Sequence, residues 1–370
     1  MKSTHWYSII LSLFICLIGC KKMDSTYKQY IVPGGLPYTG KVTNAKAYAG
    51  KNRIKIAWPK SKDPNVVKAK IFWNNYADSL EVNTQSELDT ISVTIDNLPE
   101  KSYTFNIITY DGKGIPSIPV ELLSGSYGEK YQEQLLNRPV NSLIIDVDGK
   151  ITIDWGNADI SSGAVFSELK YVNTAGNPTT KRFSVKEPKS LLTDLKSGTR
   201  FEYRTEFRPD TLYSIDSFFT NYAESHELTI SKASWKVIDF SSEHDNGSNA
   251  VKNFIDGTDG TRWHSRADGR GYPHFATIDM GVERTITQFG VWRTTFENGG
   301  DSRAPNKIQF FTSTDNATWV DQGIFDFNRL INGEQTILLP LKPRARYFKF
   351  VAVSGPENNM VIGEISAYGL

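Results

Sequence analysis

Short stretches in which apolar residues alternate with other residues recur along most of the chain. Residues 54–58 and 151–155 each alternate in this way and end on a tryptophan. In residues 201–208, Phe201, Tyr203 and Phe207 are separated by charged side chains. A two-residue period is typical of a β-strand with one buried and one solvated face. The pattern predicts an all-β protein.

Two of these stretches belong to an internal repeat. The same offset separates Trp58 from Trp155 and Leu98 from Leu195, and each leucine precedes a turn and an aromatic-led strand. A repeat of about 100 residues, built from short alternating strands around a core tryptophan, is typical of immunoglobulin-like sandwiches. The sequence therefore predicts two consecutive immunoglobulin-like or fibronectin type III-like sandwiches, to which we assign a spacer role.

The repeat also sets the domain boundaries. We place the first sandwich at residues 38–128 and the second at 138–232, with a short helical connector at 129–137. The segment leading to Tyr103 resembles the tyrosine corner of such domains, whose hydroxyl bonds back to the chain. Phe201 takes the equivalent place in the second copy, so that copy lacks the hydroxyl.

The chain begins with features of an export signal. An apolar run at residues 9–18 follows the basic Lys2 and leads to Cys20. The run is too short to span a bilayer, which predicts a secretory signal at residues 1–19. Its end resembles a bacterial lipobox, which implies lipidation of Cys20 and a membrane tether at residues 20–37. A plain signal peptide with a chance cysteine, or a membrane anchor, is the alternative.

Charge and cysteine content exclude several classes of protein. The chain has 42 basic and 41 acidic residues, a net charge of +1, and no block of like charge. Phosphate binding needs a concentrated basic face, so nucleic acid is not expected as a partner. The two cysteines are Cys16 and Cys20. Removal of the signal leaves one thiol, which excludes a disulfide framework and a thiolate metal site.

One loop in the C-terminal part concentrates oxygen-bearing side chains. Asp256, Thr258, Asp259 and Thr261 lie within six residues that also contain two glycines. Carboxylate, hydroxyl and carbonyl oxygens are the ligands that Ca²⁺ prefers. The alternative is an ordinary turn closed by hydrogen bonds from aspartate side chains to the backbone.

The same region carries a series of short motifs. In order, they are Ser241-Ser242-Glu243, Asn253-x-Ile255-Asp256-Gly257, Thr261-x-Trp263-His264-Ser265, Ile278-Asp279-Met280-Gly281, Ser313-Thr314-Asp315-Asn316-x-x-x-Trp319, Arg346-Tyr347-Phe348-Lys349-Phe350 and Gly363-Glu364-Ile365-x-Ala367-Tyr368. Together they resemble the discoidin domain, also called the coagulation factor V/VIII type C domain. The resemblance implies an antiparallel jelly-roll β-sandwich at residues 233–370, similar to carbohydrate-binding modules.

The resemblance also implies a structural Ca²⁺ beneath the binding loops. Carried over by position, its ligands are the Asn253 carbonyl, Asp256, Thr258, Thr261 and Glu364. Thr258 stands where the family more often has asparagine or aspartate. Either Asp259 supplies that oxygen, or the site is weaker.

Glycan recognition needs polar groups in a planar spread together with an aromatic face. Galactose-type members of the family use an acidic residue, a histidine and an arginine, which implies Glu243, His264 and Arg293. The other candidates on the loops are Arg266, Phe296 and Asn358. Two of these residues have plain alternatives. His264 is equally explained as a cap of its strand, and Arg293 as a partner of Asp301 or Glu297.

We therefore expect a non-catalytic glycan-binding lipoprotein of the cell envelope, anchored in the outer membrane through Cys20. It would capture polysaccharide or host glycan for neighbouring glycan-degrading or import proteins. The alternatives are a hydrolase or lyase with an appended binding module, and an adhesion lipoprotein. None of the common nucleophile, zinc-protease or nucleotide-binding motifs occurs in the sequence.

Overall fold

A computed structural model describes residues 35, 38–297 and 302–370. The predicted signal peptide and Cys20 lie outside the described residues. The chain divides into two compact units after Tyr127, and each is described by itself. Within the described part of the chain, no helix has the length and apolar character needed to cross a bilayer.

The described residues of the first unit form a two-layered sandwich of seven strands. The strands are β1 (Lys46–Lys51), β2 (Ile54–Pro59), β3 (Val66–Trp73), β4 (Asp78–Asn83), β5 (Thr90–Ile95), β6 (Lys101–Asp111) and β7 (Val120–Tyr127). They follow the order β4-β3-β6-β7-β1-β2-β5, in which β1 is antiparallel to β2 and parallel to β7. Ile54, Ile56 and Trp58 alternate into the core. The hydroxyl of Tyr103 donates to the carbonyl of Pro99 at 3.0 Å.

The second unit opens with helix α1 (Glu129–Glu133) and a second sandwich. Its strands are β8 (Val140–Ile145), β9 (Ile151–Trp155), β10 (Ala164–Val172), β11 (Pro178–Ser184), β12 (Lys189–Leu192), β13 (Glu202–Phe207), β14 (Phe218–Phe219), β15 (Ala223–Glu224) and β16 (Leu228–Ile230). Here β8 is antiparallel to β9 and parallel to β16, which repeats the pairing of β1 with β2 and β7. Trp58 and Trp155 are both buried, in equivalent strands.

The described residues of the C-terminal part of the second unit form nine strands. They are β17 (Lys236–Phe240), β18 (Trp263–His264), β19 (His274–Trp292), β20 (Lys307–Ser313), β21 (Val320–Asp326), β22 (Glu334–Leu338), β23 (Arg344–Ser354), β24 (Val361–Ile362) and β25 (Glu364–Gly369). Two 3₁₀ turns, Lys232–Ser234 and Val251–Ile255, precede the first two of them.

Strand β19 is long enough to serve both layers of this sandwich. Its first half pairs with β17 and β23, and its second half pairs with β22 and β25. The register shifts between Asp279 and Arg284, where Gly281 has a φ of 83° that glycine adopts without steric cost. Fully buried aromatic side chains fill the space between the layers, among them Trp263, Phe289 and Phe350. The all-β class predicted from the alternating pattern is confirmed.

The second sandwich and the C-terminal part share one sheet. Strand β16 pairs with β8 on one side and with β25 on the other, so hydrogen bonding continues from one sandwich into the next. The guanidinium of Arg284 adds bonds to the carbonyls of Asp146 (2.8 Å) and Val147 (3.1 Å). Residues 128–370 consequently form one unit, and its last strand, β25, begins at Glu364.

Candidate functional site

The loop at residues 253–261 brings three oxygen atoms around the Thr261 hydroxyl. Its Oγ1 lies 2.7 Å from Oδ2 of Asp256, 3.2 Å from the carbonyl of Thr258 and 3.5 Å from the carbonyl of Asn253. A hydroxyl has one proton, so it satisfies one of these acceptors and faces the lone pairs of the others. The cluster unites four positions of the expected calcium site.

Glu364, the fifth position, reaches the same loop from the start of β25. Its Oε2 accepts the amides of Gly257 at 2.7 Å and Thr258 at 3.0 Å. Its Oε1 accepts the amide of Ile365 at 2.9 Å and the ammonium of Lys232. With four donors, the carboxylate has its lone-pair positions engaged.

The donor set fits a hard cation in part. Carboxylate, hydroxyl and carbonyl oxygens are suitable ligands for Ca²⁺, which takes ~6 to 8 of them. Four such oxygens converge at Thr261, whereas Glu364 is bound to Lys232. Among the described residues, no three histidine, cysteine, aspartate or glutamate side chains are grouped to hold a metal. A cation here would therefore rely on the carboxylate of Asp256 together with carbonyl and hydroxyl oxygens.

Lys232 and Glu364 form a largely buried ion pair, with 18% and 5% of their side chains exposed. Burial raises the pKa of Glu364 to about 7, against the opposite effect of Lys232 and the amide donors. Burial also lowers the pKa of Lys232, and Glu364 opposes that shift. Both shifts have the same cause, which is the cost of removing a charge from water.

The contacts of Asp259 fasten this loop to the loop after β19. Its carbonyl accepts the amide of Thr295 at 3.0 Å and the hydroxyl of Thr294 at 3.4 Å. The loop with the calcium candidates is thus tied to the loop with the glycan candidates.

His264 lies at the end of β18 and is 7% exposed. Its Nδ1 lies 2.5 Å from the carbonyl of Ser265, and its Nε2 lies 2.9 Å from Nη1 of Arg303. A carbonyl only accepts and a guanidinium only donates, so Nδ1 carries the proton and Nε2 accepts. Burial lowers the pKa of His264, and Arg303 adds to this effect. The imidazole is therefore neutral at neutral pH.

Arg303 is held against His264 by Glu297. The carboxylate of Glu297 is 8% exposed and accepts the Arg303 amide at 2.7 Å, Nε at 2.7 Å and also Nη2. A guanidinium bound through two nitrogens to one carboxylate group has a fixed direction. The pair therefore presents a positioned arginine at the end of the sandwich.

Arg293, the arginine carried over from the family, does not reach this surface. It is 2% exposed, and its Nη1 donates to the backbone carbonyl of Glu297. The suggested partner Asp301 lies outside the described residues. Arg303 lies beside His264 in its place. Both arginines belong to the same loop, so sequence position alone did not distinguish them, and this choice needs correction.

The remaining glycan candidates occupy separate positions around His264. Phe296 is 65% exposed, and the guanidinium carbon of Arg262 lies 5.2 Å from its ring centroid. Glu243 is half-buried and accepts the amide of Val251 at 2.9 Å. Arg266 and Asn358 are both exposed, but the carbonyl of Asn358 accepts Nε2 of His274 and not of His264.

Two further residues near these sites were not predicted from the sequence. The ring of His244 lies 5.0 Å from that of His264, centroid to centroid, and its amide donates to the His264 carbonyl at 2.9 Å. His244 directly follows the predicted Ser241-Ser242-Glu243 motif, which was the available signal. Lys232 had no such signal, because it precedes every motif of the domain.

Two family models match the chain. Residues 20–218 match DUF4998, described as a domain of unknown function, and residues 237–365 match the F5/8 type C domain. The second match confirms the discoidin-type domain that the motifs predicted. The first covers the first predicted sandwich and most of the second, and carries no functional description.

Several known proteins are similar to part of the chain. A sialidase of Micromonospora viridifaciens is 34% identical over 110 residues, which are 28% of this chain and 16% of the sialidase. The C-terminal domain of a chitobiase from Bacteroides fragilis is 28% identical, with a TM-score of 0.34, over 38% of this chain and 97% of that one. A family 32 carbohydrate-binding module of Clostridium perfringens NanJ, solved with galactose, is 20% identical, with a TM-score of 0.34, over 39% and 99%.

Proposed function

The chain belongs to the DUF4998 family, whose description names no function. We propose that it is a non-catalytic protein that captures glycans, and that it does so through its F5/8 type C domain. The observation that carries the proposal is the contact between Arg303 and the neutral His264. A sugar hydroxyl can accept from the nitrogens of Arg303, whose Nη1 donates to Nε2 of the neutral His264 and is oriented by it.

An aromatic face adds to this polar pair. Phe296 is exposed, and Arg262 lies over its ring, at the same end of the sandwich as Arg303. Sugar rings pack their C–H face on aromatic side chains while their hydroxyls are hydrogen-bonded. Glu243 and Arg266 are the proposed outer contacts, since each lies on a neighbouring loop. A shallow site of this kind binds one sugar weakly, and a polymer strengthens binding through avidity.

A glycan array followed by calorimetric titration of galactose tests the proposal. Arg303→Ala should lose about 1.5 kcal/mol or more, the scale of hydrogen bonds to charged groups, which is at least tenfold in affinity. Arg344→Ala is the matched control, because Arg344 is exposed and pairs with Glu283 on another strand. No binding by the wild type across plant, host and microbial glycans would contradict the proposal.

We further propose a structural Ca²⁺ held by the Asn253 carbonyl, Asp256, Thr258 and Thr261. When bound, the ion would coordinate the lone pairs of oxygen atoms that otherwise repel one another around the Thr261 hydroxyl. The support is the convergence of those oxygens. Calorimetric titration of the full chain with calcium chloride measures this directly.

The proposed setting is the cell envelope, with the protein anchored by lipid on Cys20. The two sandwiches, which we propose are fibronectin type III-like, then serve as a spacer. In detergent phase separation, the Cys20→Ser variant should move from the detergent phase to the aqueous phase. Retention of that variant in the detergent phase would contradict the anchor.

The enzymatic alternative rests on the sialidase relative. That relative is an enzyme, but this chain spans 16% of its length, and the similarity does not carry the activity over. Chromogenic sialosides and other glycosides distinguish the two functions. Hydrolysis faster than the uncatalysed background would show that the protein is an enzyme and would contradict the proposal of a non-catalytic function.

A further inference from the structure

Lys232 brings an ammonium group into the expected calcium site from outside the F5/8 type C motifs. It begins the 3₁₀ turn Lys232–Ser234, which is separated from the end of β16 by Ser231. Its Nζ contacts Oε1 of Glu364 across 132 positions of sequence, and both side chains are largely buried. A buried charge in a protein normally has a counter-charge beside it, and Lys232 and Glu364 each supply the counter-charge of the other.

The contact limits what else Glu364 can bind. Ile365 N shares Oε1 with Lys232, while Gly257 N and Thr258 N occupy Oε2. A carboxylate offers about four lone-pair positions. A divalent cation can therefore use Glu364 as a ligand only by displacing one of these donors. Lys232 is the donor that can leave, because its side chain is long and the other three donors are backbone amides.

We propose that Lys232 and a divalent cation compete for Glu364, and that the ammonium keeps the 253–261 loop closed when no ion is bound. The inference rests on the calcium role proposed above. Two cations close together repel each other, so ion binding with Lys232 in place is weakened. In the absence of calcium, the ammonium of Lys232 then supplies the positive charge beside Glu364, and the chain folds without the ion.

A purely structural ion pair makes a different prediction. In that case the loss of Lys232 leaves Glu364 buried without a counter-charge, and calcium does not repair the defect. In the competitive case calcium supplies the missing positive charge. The two cases differ in the response of a charge-deleting variant to calcium, and not in its stability alone.

The experiment compares the full-length wild type with Lys232→Met and Lys232→Gln. Melting temperatures are measured in chelator and in calcium chloride, and calcium affinity is measured by calorimetry. Both variants should melt lower than the wild type in chelator, recover most of the loss in calcium, and bind calcium at least tenfold more tightly. Lys232→Gln keeps a donor to Glu364 and should lose less. Lys252→Met, at an exposed lysine of the neighbouring 3₁₀ turn, should match the wild type.

Equal destabilisation of both variants with and without calcium would overturn the proposal, as would calcium affinity no greater than that of the wild type. If Lys232→Met folds only with calcium, the proposal is supported; if it folds in neither condition, Lys232→Gln decides by the same two measurements. Galactose titration of the wild type is independent of these results. Its failure removes the glycan function and leaves the competition for Glu364 intact.

Discussion

The amide of Gly257 donates a 2.7 Å hydrogen bond to Oε2 of Glu364, although the two residues lie 107 positions apart. Gly257 has a φ of 94°, in the region that glycine adopts without steric cost, and this conformation accompanies the approach of the loop to β25. The bond joins the oxygen-rich loop to the last strand. Closure of the loop therefore depends on a carboxylate that the loop itself does not contain.

Glu364→Gln should strongly destabilise the second unit. The substitution preserves shape but leaves Lys232 buried without its counter-charge, and it replaces an acceptor oxygen with a donor. Breaking a buried ion pair by removing one charge costs about 3–5 kcal/mol. Urea unfolding followed by tryptophan fluorescence measures the change. Glu283→Gln, which breaks the exposed pair with Arg344, should cost about 1 kcal/mol or less. Equal effects of the two substitutions would contradict this prediction.

The fold class and the type of the last domain could be predicted from the sequence. Alternation shows which residues of a strand face the core, and the motifs of the F5/8 type C domain are local. The shared sheet could not be predicted in the same way. Strand β16 pairs with both β8 and β25, and a two-residue period specifies a buried face but not the neighbouring strand.

The candidate site was predictable to the level of loops, and less so for individual side chains. The motif around Asp256 and Thr261 lies in the loop where these two side chains form a hydrogen bond, and their role as calcium ligands stays a prediction. Arg293 and Arg303 share another loop, and burial of Arg293 is decided by packing between distant segments. Lys232 meets Glu364 through a contact across 132 positions, which no local pattern encodes.

Tyr103→Phe should destabilise the first unit by about 0.5–1.5 kcal/mol, the usual net value of one hydrogen bond. The hydroxyl of Tyr103 donates to the Pro99 carbonyl at 3.0 Å, and the ring stays buried without it. Chemical denaturation of the full chain, fitted with separate transitions for the two units, measures the loss. Tyr76→Phe is the control, since Tyr76 is exposed. A loss confined to the second unit would be inconsistent with this role.

Acid should weaken the C-terminal sandwich partly through Asp279. Both oxygens of this carboxylate accept from Arg346 at 2.8 Å, and these bonds hold the pKa of Asp279 below its usual range, with burial opposing. A lowered folded-state pKa contributes stability above the unfolded value of about 3.9, and the contribution disappears as pH falls through the folded value.

The measurement is the stability difference between wild type and Asp279→Asn as a function of pH. It should be constant near neutral pH and shrink below about pH 4, because the asparagine does not titrate. Asp326→Asn, at an 89% exposed carboxylate, should show a small difference throughout. A difference for Asp279→Asn that grows in acid would reverse the assigned sign.

Glu297→Gln should weaken galactose binding by several-fold without removing any group that contacts the sugar. Glu297 holds Nε, Nη2 and the amide of Arg303, and so directs the guanidinium toward His264. The neutral glutamine loses the charge-assisted part of these bonds, about half their strength, and Arg303 samples other directions. Binding is titrated well below the melting temperature, so that a fall in stability alone does not change the affinity. Glu283→Gln, the same chemical change in an exposed pair, should bind as the wild type does. If Glu297→Gln lowers the melting temperature but leaves the affinity for galactose unchanged, Glu297 stabilises the loop and does not position Arg303 for the sugar.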